Sequence, residues 1–324
     1  MSKTKPNLIG FRRLNSGIDY HRIVSPLEAL ARDEGIEVSL TDDPRTMTNA
    51  RWEECTHIVA SRFFSVPLRE LIKFKQACER HGKKLVVDVD DWWYLPPHHP
   101  KFKHYQKYEI PERIEQCLSI ADVVWVTNKV LKKKARKFNG NVHIIPNAID
   151  TKLDQWQEKR KQSDKVRFGY IAGNHHQTDI EAAELSLEDV EGYTVDIDQY
   201  PEMLQAKYVL APQPASEYGR MYARIDVSVI PLIASAFNRC KSHLKLIEAG
   251  MTGTAVICSP VAPYHEYLRD GENCLTASTP DEWEAAIRKL NDNPKLVEKL
   301  AKELSKDMAT FEMENINKLR LETL

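Results

Sequence analysis

The sequence predicts an α/β protein of two parallel-sheet domains in series, and three observations carry that expectation. At 324 residues the chain exceeds one ordinary core. Short apolar runs alternate with amphipathic stretches, the rhythm of a parallel sheet covered on both faces. The alternation breaks at EKRKQSDK (158–165), a charged run that reads as a linker, and then resumes. In the first half the expected strands are NLIGF (7–11), IEVSL (36–40), THIVAS (56–61), KLVVDV (84–89), DVVWVT (122–127) and VHIIP (142–146). SPLEALARDEG (25–35) and PLRELIKFKQACERHG (67–82) are amphipathic, and Gly82 is a helix-stop signal. The second half offers strands at 166–173, 208–212, 226–232, 254–259 and 273–277, with helices at 241–251 and 280–292. The economical architecture is two Rossmann-like domains, 1–150 and 151–324, facing each other across a cleft. The last helix is a candidate to pack back on the first domain.

Composition narrows the class. The chain is 42% hydrophobic and 29% charged, which suits a soluble globular protein. No apolar run approaches a bilayer span, and MSKTKPNLIGFRR has no signal-peptide core, so a cytoplasmic setting is expected. The six cysteines form no CxxC pair, which favours reduced thiols over a disulfide framework or a zinc site. Residues 1–150 carry 25 Lys and Arg against 19 Asp and Glu, whereas the remainder carries 21 against 28. That asymmetry points to an anionic partner at the first half, or else to uneven solvated charge.

KLVVDVDDWWYLPPHHP (84–100) ends a strand in Asp88, Asp90 and Asp91, followed by Trp92 and Trp93. Three readings stay open: a metal-holding Asp-x-Asp, a catalytic base, or a well-satisfied turn. Strand alternation puts Asp88 and Asp90 on one side and Asp91 on the other. As a strand-end loop the stretch is expected to border a ligand. Trp92 and Trp93 are candidates for a stacking wall, against the commoner fate of tryptophans as core.

In FNRCKSHLKLIEAG (237–250) a helix is expected to open around Ser242, its unpaired amides making an anion site. Lys241 and Lys245 are spaced i, i+4 to face a diphosphate, and Glu248 lies one turn on, where it can accept from ribose hydroxyls. An ordinary helix with solvated lysines is the plain alternative. GYIAGNHHQTDI (169–180) runs a strand into Gly173, where a backbone can approach a ligand, with His176 and Asp179 three apart. Near the N-terminus, Gly17, Tyr20, His21 and Arg22 occupy the loop after the first strand, and Arg22 is a candidate phosphate contact. Lys132, Lys133, Lys134, Arg136 and Lys137 crowd one helix, and KFKHYQKY (101–108) adds more basic residues. Together they can gather DNA, a polyol-phosphate chain or an anionic membrane surface.

Two stretches, 121–150 ending in IPNAID and 237–277 containing HEYLRDGENCLTA, resemble the GT-B glycosyltransferases. Within them the resemblance is to the large retaining group-1, family 4-like branch whose hallmark is Glu, seven residues, Glu. Here the first hallmark position falls on Cys240, and the pattern F-N-x-x-K-S-x-x-K-x-x-E is similar to a branch common in bacterial and phage genomes. The resemblance implies that Asn238, Lys241, Ser242 and Lys245 hold the donor's phosphates and sugar, with Glu248 on the ribose. It also implies a donor-site role for Gly173 and His176, and acceptor-side roles for Gly17, Tyr20, Arg22, Trp92 and Trp93. The expected activity is transfer from a nucleoside-diphosphate sugar, UDP by default, to an acceptor hydroxyl, with retention and without metal or other cofactor. Asp90, Asp91 and Lys241 are the catalytic candidates. A hydroxymethylated base in phage DNA, a polyol phosphate and a surface glycan are the candidate acceptors. Cys240 keeps open a non-catalytic binding protein, and Asp88 with Asp90 keeps open a metal-dependent GT-A enzyme.

Overall fold

A computed structural model describes residues 5–14, 16–43, 48–62, 64 and 66–324. The chain divides into two compact units. One comprises Met1–Asp150, Cys240–Ser242 and Met313–Leu324; the other comprises Thr151–Arg239 and His243–Glu312. Cys240–Ser242, which the sequence places in the middle of the second half, therefore belongs to the first unit.

The first unit is built on six parallel strands: β1 (Asn7–Phe11), β2 (Glu37–Thr41), β3 (His57–Ser61), β4 (Lys84–Val89), β5 (Val123–Val126) and β6 (Val142–Ile144). Their order is β2-β1-β3-β4-β5-β6, every pairing parallel. Helices cover such a sheet on both faces, so its strands read as unbroken apolar runs; Leu85, Val86, Val87 and Val89 are fully buried. The helix over Leu68–Arg80 turns off at Gly82, whose φ of 65° is the left-handed conformation the stop signal anticipated. Ahead of the Ser25–Glu34 helix lies a π-turn over Tyr20–Val24, where one extra residue per turn rotates Arg22 inward. The helix Met313–Glu322 packs in this unit: Asn317 Nδ2 donates to the Pro26 carbonyl at 3.0 Å, and Trp125 Nε1 to Thr323 Oγ1 at 2.9 Å.

The second unit repeats the plan with β7 (Arg167–Tyr170), β8 (Glu191–Val195), β9 (Tyr208–Leu210), β10 (Val227–Ile230), β11 (Ala255–Cys258) and β12 (Leu275–Thr276). Their order is β12-β11-β10-β7-β8-β9, again all parallel. β8 is a strand the sequence does not announce, because EGYTV opens on a charge and a glycine that read as a turn. The glycine is required by packing. A Cβ on Gly192 would fall 2.6 Å from Leu187 Cβ and 2.7 Å from its carbonyl oxygen. Among the described residues no helix is long and apolar enough to cross a membrane. All six cysteines are buried and free.

Candidate functional site

In an open parallel sheet, ligands bind outside the carboxyl ends of the strands where the strand order reverses. In the second unit that point lies between β7 and β10. Leaving β7, the chain runs through Gly173 to His176, and leaving β10 it enters the 231–243 loop. Asp179 joins the two, its Oδ2 pairing with His176 Nδ1 at 2.8 Å and its Oδ1 accepting from the Ile233 amide at 2.9 Å. Tyr200 completes the frame: its hydroxyl donates to the Gly173 carbonyl at 2.8 Å and accepts from the His176 amide at 3.0 Å. Space is open where a Gly173 side chain would project, so backbone there is accessible to a ligand. Asn238 is buried, and its side-chain amide donates to the Ile233 carbonyl at 2.9 Å, which braces the loop.

The helix that follows spans Leu244–Met251, two residues later than expected, with His243 at its cap. Ser242 and Lys241 precede it, so the i, i+4 relation of Lys241 to Lys245 does not hold on a helix. Lys245 stands in the first turn with its Nζ 5.2 Å from the centre of the Tyr170 ring. Glu248 is buried in the second turn, and Tyr222 donates to its Oε2 at 2.9 Å. Burial pushes the Glu248 carboxyl up to about 7, against the opposing pull of the Tyr222 hydrogen bond and the Lys245 charge. Downstream, the DGEN turn serves the fold. Gly271 is left-handed (φ 74°), and buried Asn273 donates to the Tyr267 carbonyl at 2.9 Å and to Asp307 at 2.7 Å.

In the first unit β4 ends at Val89, so Asp90 and Asp91 lie beyond the strand and the alternation that would pair Asp88 with Asp90 lapses. Asp88 and Asp90 each have their own arginine. Arg22 meets Asp88 through two bonds, 2.9 and 2.6 Å, with both side chains about 1% exposed. Arg62 places Nε at 3.0 Å and a terminal nitrogen at 2.7 Å from one Asp90 oxygen. Arg62 is held in the left-handed region (φ 62°), and its amide donates to the Asp88 carbonyl at 2.7 Å. Asp88 and Asp90 are thus each engaged by an arginine, and among the described residues no group of three or more His, Cys, Asp or Glu could hold a metal ion. Asp91 is different. It lies 3.9 Å from Arg62 and is partly exposed. Desolvation, then the neighbouring Asp90 charge, pushes its carboxyl up to about 6, against Arg62 and Lys241. His21 nearby is pushed down to about 4 by its surroundings and then by Arg22, so its imidazole is neutral.

The Cys240–Ser242 segment is pinned within this unit. Asn128 Nδ2 donates to the Cys240 and Lys241 carbonyls at 2.9 and 3.0 Å, and Asn147 Nδ2 to Ser242 Oγ at 2.7 Å. Asn147 in turn accepts from Arg22, so Asp88, Arg22, Asn147 and Ser242 form one buried-to-surface chain. Two further expectations need correction. Arg22 is committed to Asp88 and Asn147 and is no free phosphate contact. Trp93 is core, about 1% exposed, with its indole N–H on Glu115. Cys240 lies in the apolar core, its thiol pushed up to about 11 by burial, so the hallmark position carries packing in place of charge. Trp92 stays partly exposed with Lys134 Nζ 3.4 Å over its ring. Gly17 opens the first helical turn on the surface, and Tyr20 is half-buried against His21. Arg62, Tyr200 and Tyr222 carry no motif; Arg62 alone had a signal, as a cation just past a strand's carboxyl end.

The family described as glycosyl transferase-like matches residues 151–316. The chain is similar over 98% of its length to Anabaena HepE in complex with UDP-glucose, at 13% identity, covering 99% of that chain with a TM-score of 0.65. It is similar to sucrose-phosphate synthase from Thermosynechococcus elongatus at 15% identity, covering 98% of each chain with a TM-score of 0.69. A glycosyltransferase from Rickettsia africae gives 12% identity over 98% and 97% of the two chains, with a TM-score of 0.58. No curated protein matches the sequence. At these identities the solved structures share the fold alone.

Proposed function

This chain belongs to the glycosyl transferase-like family and has the GT-B fold, and from that premise we propose that its second unit holds a UDP-sugar whose sugar passes to an acceptor hydroxyl at the first unit. The observation that carries the reading is the polar frame at the switch point of the second sheet. Gly173 and His176, held by Tyr200 and Asp179, follow β7, and Lys245 and Glu248 lie in the helix that follows the β10 loop, Lys245 beside Tyr170 at the end of β7. A UDP-sugar in complex with HepE, a similar fold, supports the donor class.

In this scheme the bond from the sugar's anomeric carbon to the diphosphate breaks, and the diphosphate leaves with the electron pair. Lys245 and the amides of the Leu244–Met251 first turn stabilise the charge that grows on it, so no metal is required. The acceptor oxygen bonds to the anomeric carbon and its proton goes to Asp91, whose contact with Arg62 is longer than those of Asp88 and Asp90 with their arginines. The charges of Arg62 and then Lys241 favour the ionised form of that carboxylate. Retention of configuration rests on the family resemblance, as does placement in the phage and bacterial branch.

We assign an anionic acceptor on the strength of the helix Lys129–Ala135 and the residues that follow it. Among the described residues Lys132, Lys133, Arg136 and Lys137 form no ion pair, and Trp92 lies under Lys134 beside them. DNA with a hydroxymethylated base, a polyol phosphate, a charged surface glycan and an anionic membrane surface all fit that chemistry, and mass spectrometry of each after incubation separates them. A flipped base would be needed for DNA. The buried free cysteines support a reducing, cytoplasmic setting.

The donor half is tested by calorimetric titration with UDP-glucose. The wild type is expected to bind, and Lys245→Ala to bind about tenfold more weakly or worse, as for a charged hydrogen bond to phosphate. Equal binding by both proteins would refute the assignment. The core position of Cys240 favours one rival, a binding protein without turnover, which predicts normal titration and no release of UDP.

A further inference from the structure

The Glu248 carboxylate is held by a device that the donor motif does not contain. Tyr222 lies on the 3-10 helix Tyr218–Arg224, fully buried, and its hydroxyl donates to Glu248 Oε2 at 2.9 Å. That helix is anchored from behind: the Gly219 amide donates to Gln155 Oε1 at 2.9 Å, and Gly219 packs so closely on Trp156 that a Cβ would fall 2.7 Å from the indole. The phenol therefore cannot drift away from the carboxylate without moving the Asp154–Trp156 turn.

We propose that Tyr222 is a positioning residue whose phenol holds Glu248 for the vicinal hydroxyls of the donor's ribose, so that the state of one carboxylate governs the grip on the nucleotide. The inference rests on the donor reading above and specifies its regulation.

A diol donates its hydrogen bonds best to an ionised carboxylate. The titratable groups acting on Glu248 are Tyr222 and Lys245, which favour the charged form, with Tyr218 beside it and Tyr264 beside Tyr222. Burial pushes Tyr218 and Tyr222 well above the ordinary phenol range, so neither ionises near neutrality. Burial raises Glu248 to about 7, so it ionises as the pH passes through neutrality. Removing the phenol O–H removes a bond to the charged form and moves ionisation to higher pH.

UDP-glucose is the suitable probe, because both phosphates of its diester stay ionised from about one and a half units below neutrality to the same distance above. Wild-type affinity is expected to rise through an inflection near pH 7 and level off above it. In Tyr222→Phe the inflection moves to higher pH, with about three- to tenfold weaker binding at pH 7 and recovery at alkaline pH. Glu248→Gln, which keeps the shape without the titration, gives a flat profile even if Tyr222→Phe folds poorly. A donor with 2′-deoxyribose also loses the inflection on the wild type. Superimposable inflections for wild type and Tyr222→Phe, or a wild-type profile as flat as that of Glu248→Gln, would overturn the inference while leaving the donor site standing. Failure of UDP-glucose and other UDP-sugars to bind at any pH would overturn both.

Discussion

At the residue scale two carboxylates stand out because their surroundings oppose ionisation, and they do so in different units. Asp91 is raised to about 6 and Glu248 to about 7, desolvation being the largest cause for each. A carboxyl raised on folding keeps a proton the unfolded chain has lost, so stability is highest at low pH and falls as pH rises through that window. For Glu248 the window runs from about 4.5 to about 7. Glu248→Gln is therefore expected to be more stable than wild type at pH 8, by up to about 3 kcal/mol, and no more stable at pH 4.5. Denaturant melts at the two pH values check this. The adjacent Asp90 and Asp91 part in the opposite way. Asp91→Asn is expected to leave the melt unchanged near pH 4, to stabilise above about pH 6 by the same linkage, and to lower kcat by about 10²- to 10⁴-fold. Asp90→Asn strips a buried guanidinium of its nearest counter-charge and is expected to cost on the order of 3 kcal/mol. The sequence shows that these carboxylates cluster at a strand end. It does not show which arginine each meets, because Arg22 and Arg62 arrive from 66 and 28 residues away.

At the element scale, strand existence was legible from the apolar runs, since a sheet buried on both faces leaves no alternation to disguise them. β1 and β4 fall on the expected residues, and most other strands are trimmed by a residue or more at their ends. β8 escaped because its glycine answers to Leu187, a packing demand that composition does not record. The donor helix starts late for a similar reason: Cys240–Ser242 is drawn off by Asn128 and Asn147, so local spacing misplaces Lys241. Gly250 seats this helix against Pro294–Met308; a Cβ would fall 2.5 Å from Met308 Cγ and 2.6 Å from Met308 Cβ. Gly250→Ala gains about 1 kcal/mol of helix propensity but incurs roughly 1–3 kcal/mol of overpacking, so net destabilisation is expected in a thermal melt. The same variant is expected to weaken UDP-glucose binding, because Glu248 shares that helix.

For the whole molecule, the charge asymmetry of the sequence has a structural counterpart in the basic helix of the first unit. Replacing Lys132, Lys133 and Lys137 with Gln is expected to weaken binding to an anionic polymer and to flatten its dependence on salt. The slope of log affinity against log salt falls by about 0.7 to 0.9 for each phosphate no longer neutralised. An unchanged slope would assign those lysines to solvent. The fold class was readable because the apolar runs are local, whereas the hallmark glutamate's replacement by Cys240 was readable only as an absence. The structure gives that absence a reason, since the position is core.

Release of UDP from a panel of UDP-sugars, with water or an anionic acceptor present and a chelator throughout, tests the central claim most directly. At least one donor is expected to turn over in chelator, and Lys245→Ala is expected to abolish the turnover. Binding of UDP-sugars without release of UDP from any of them, or turnover that stops in chelator and returns with Mn²⁺, would contradict the claim.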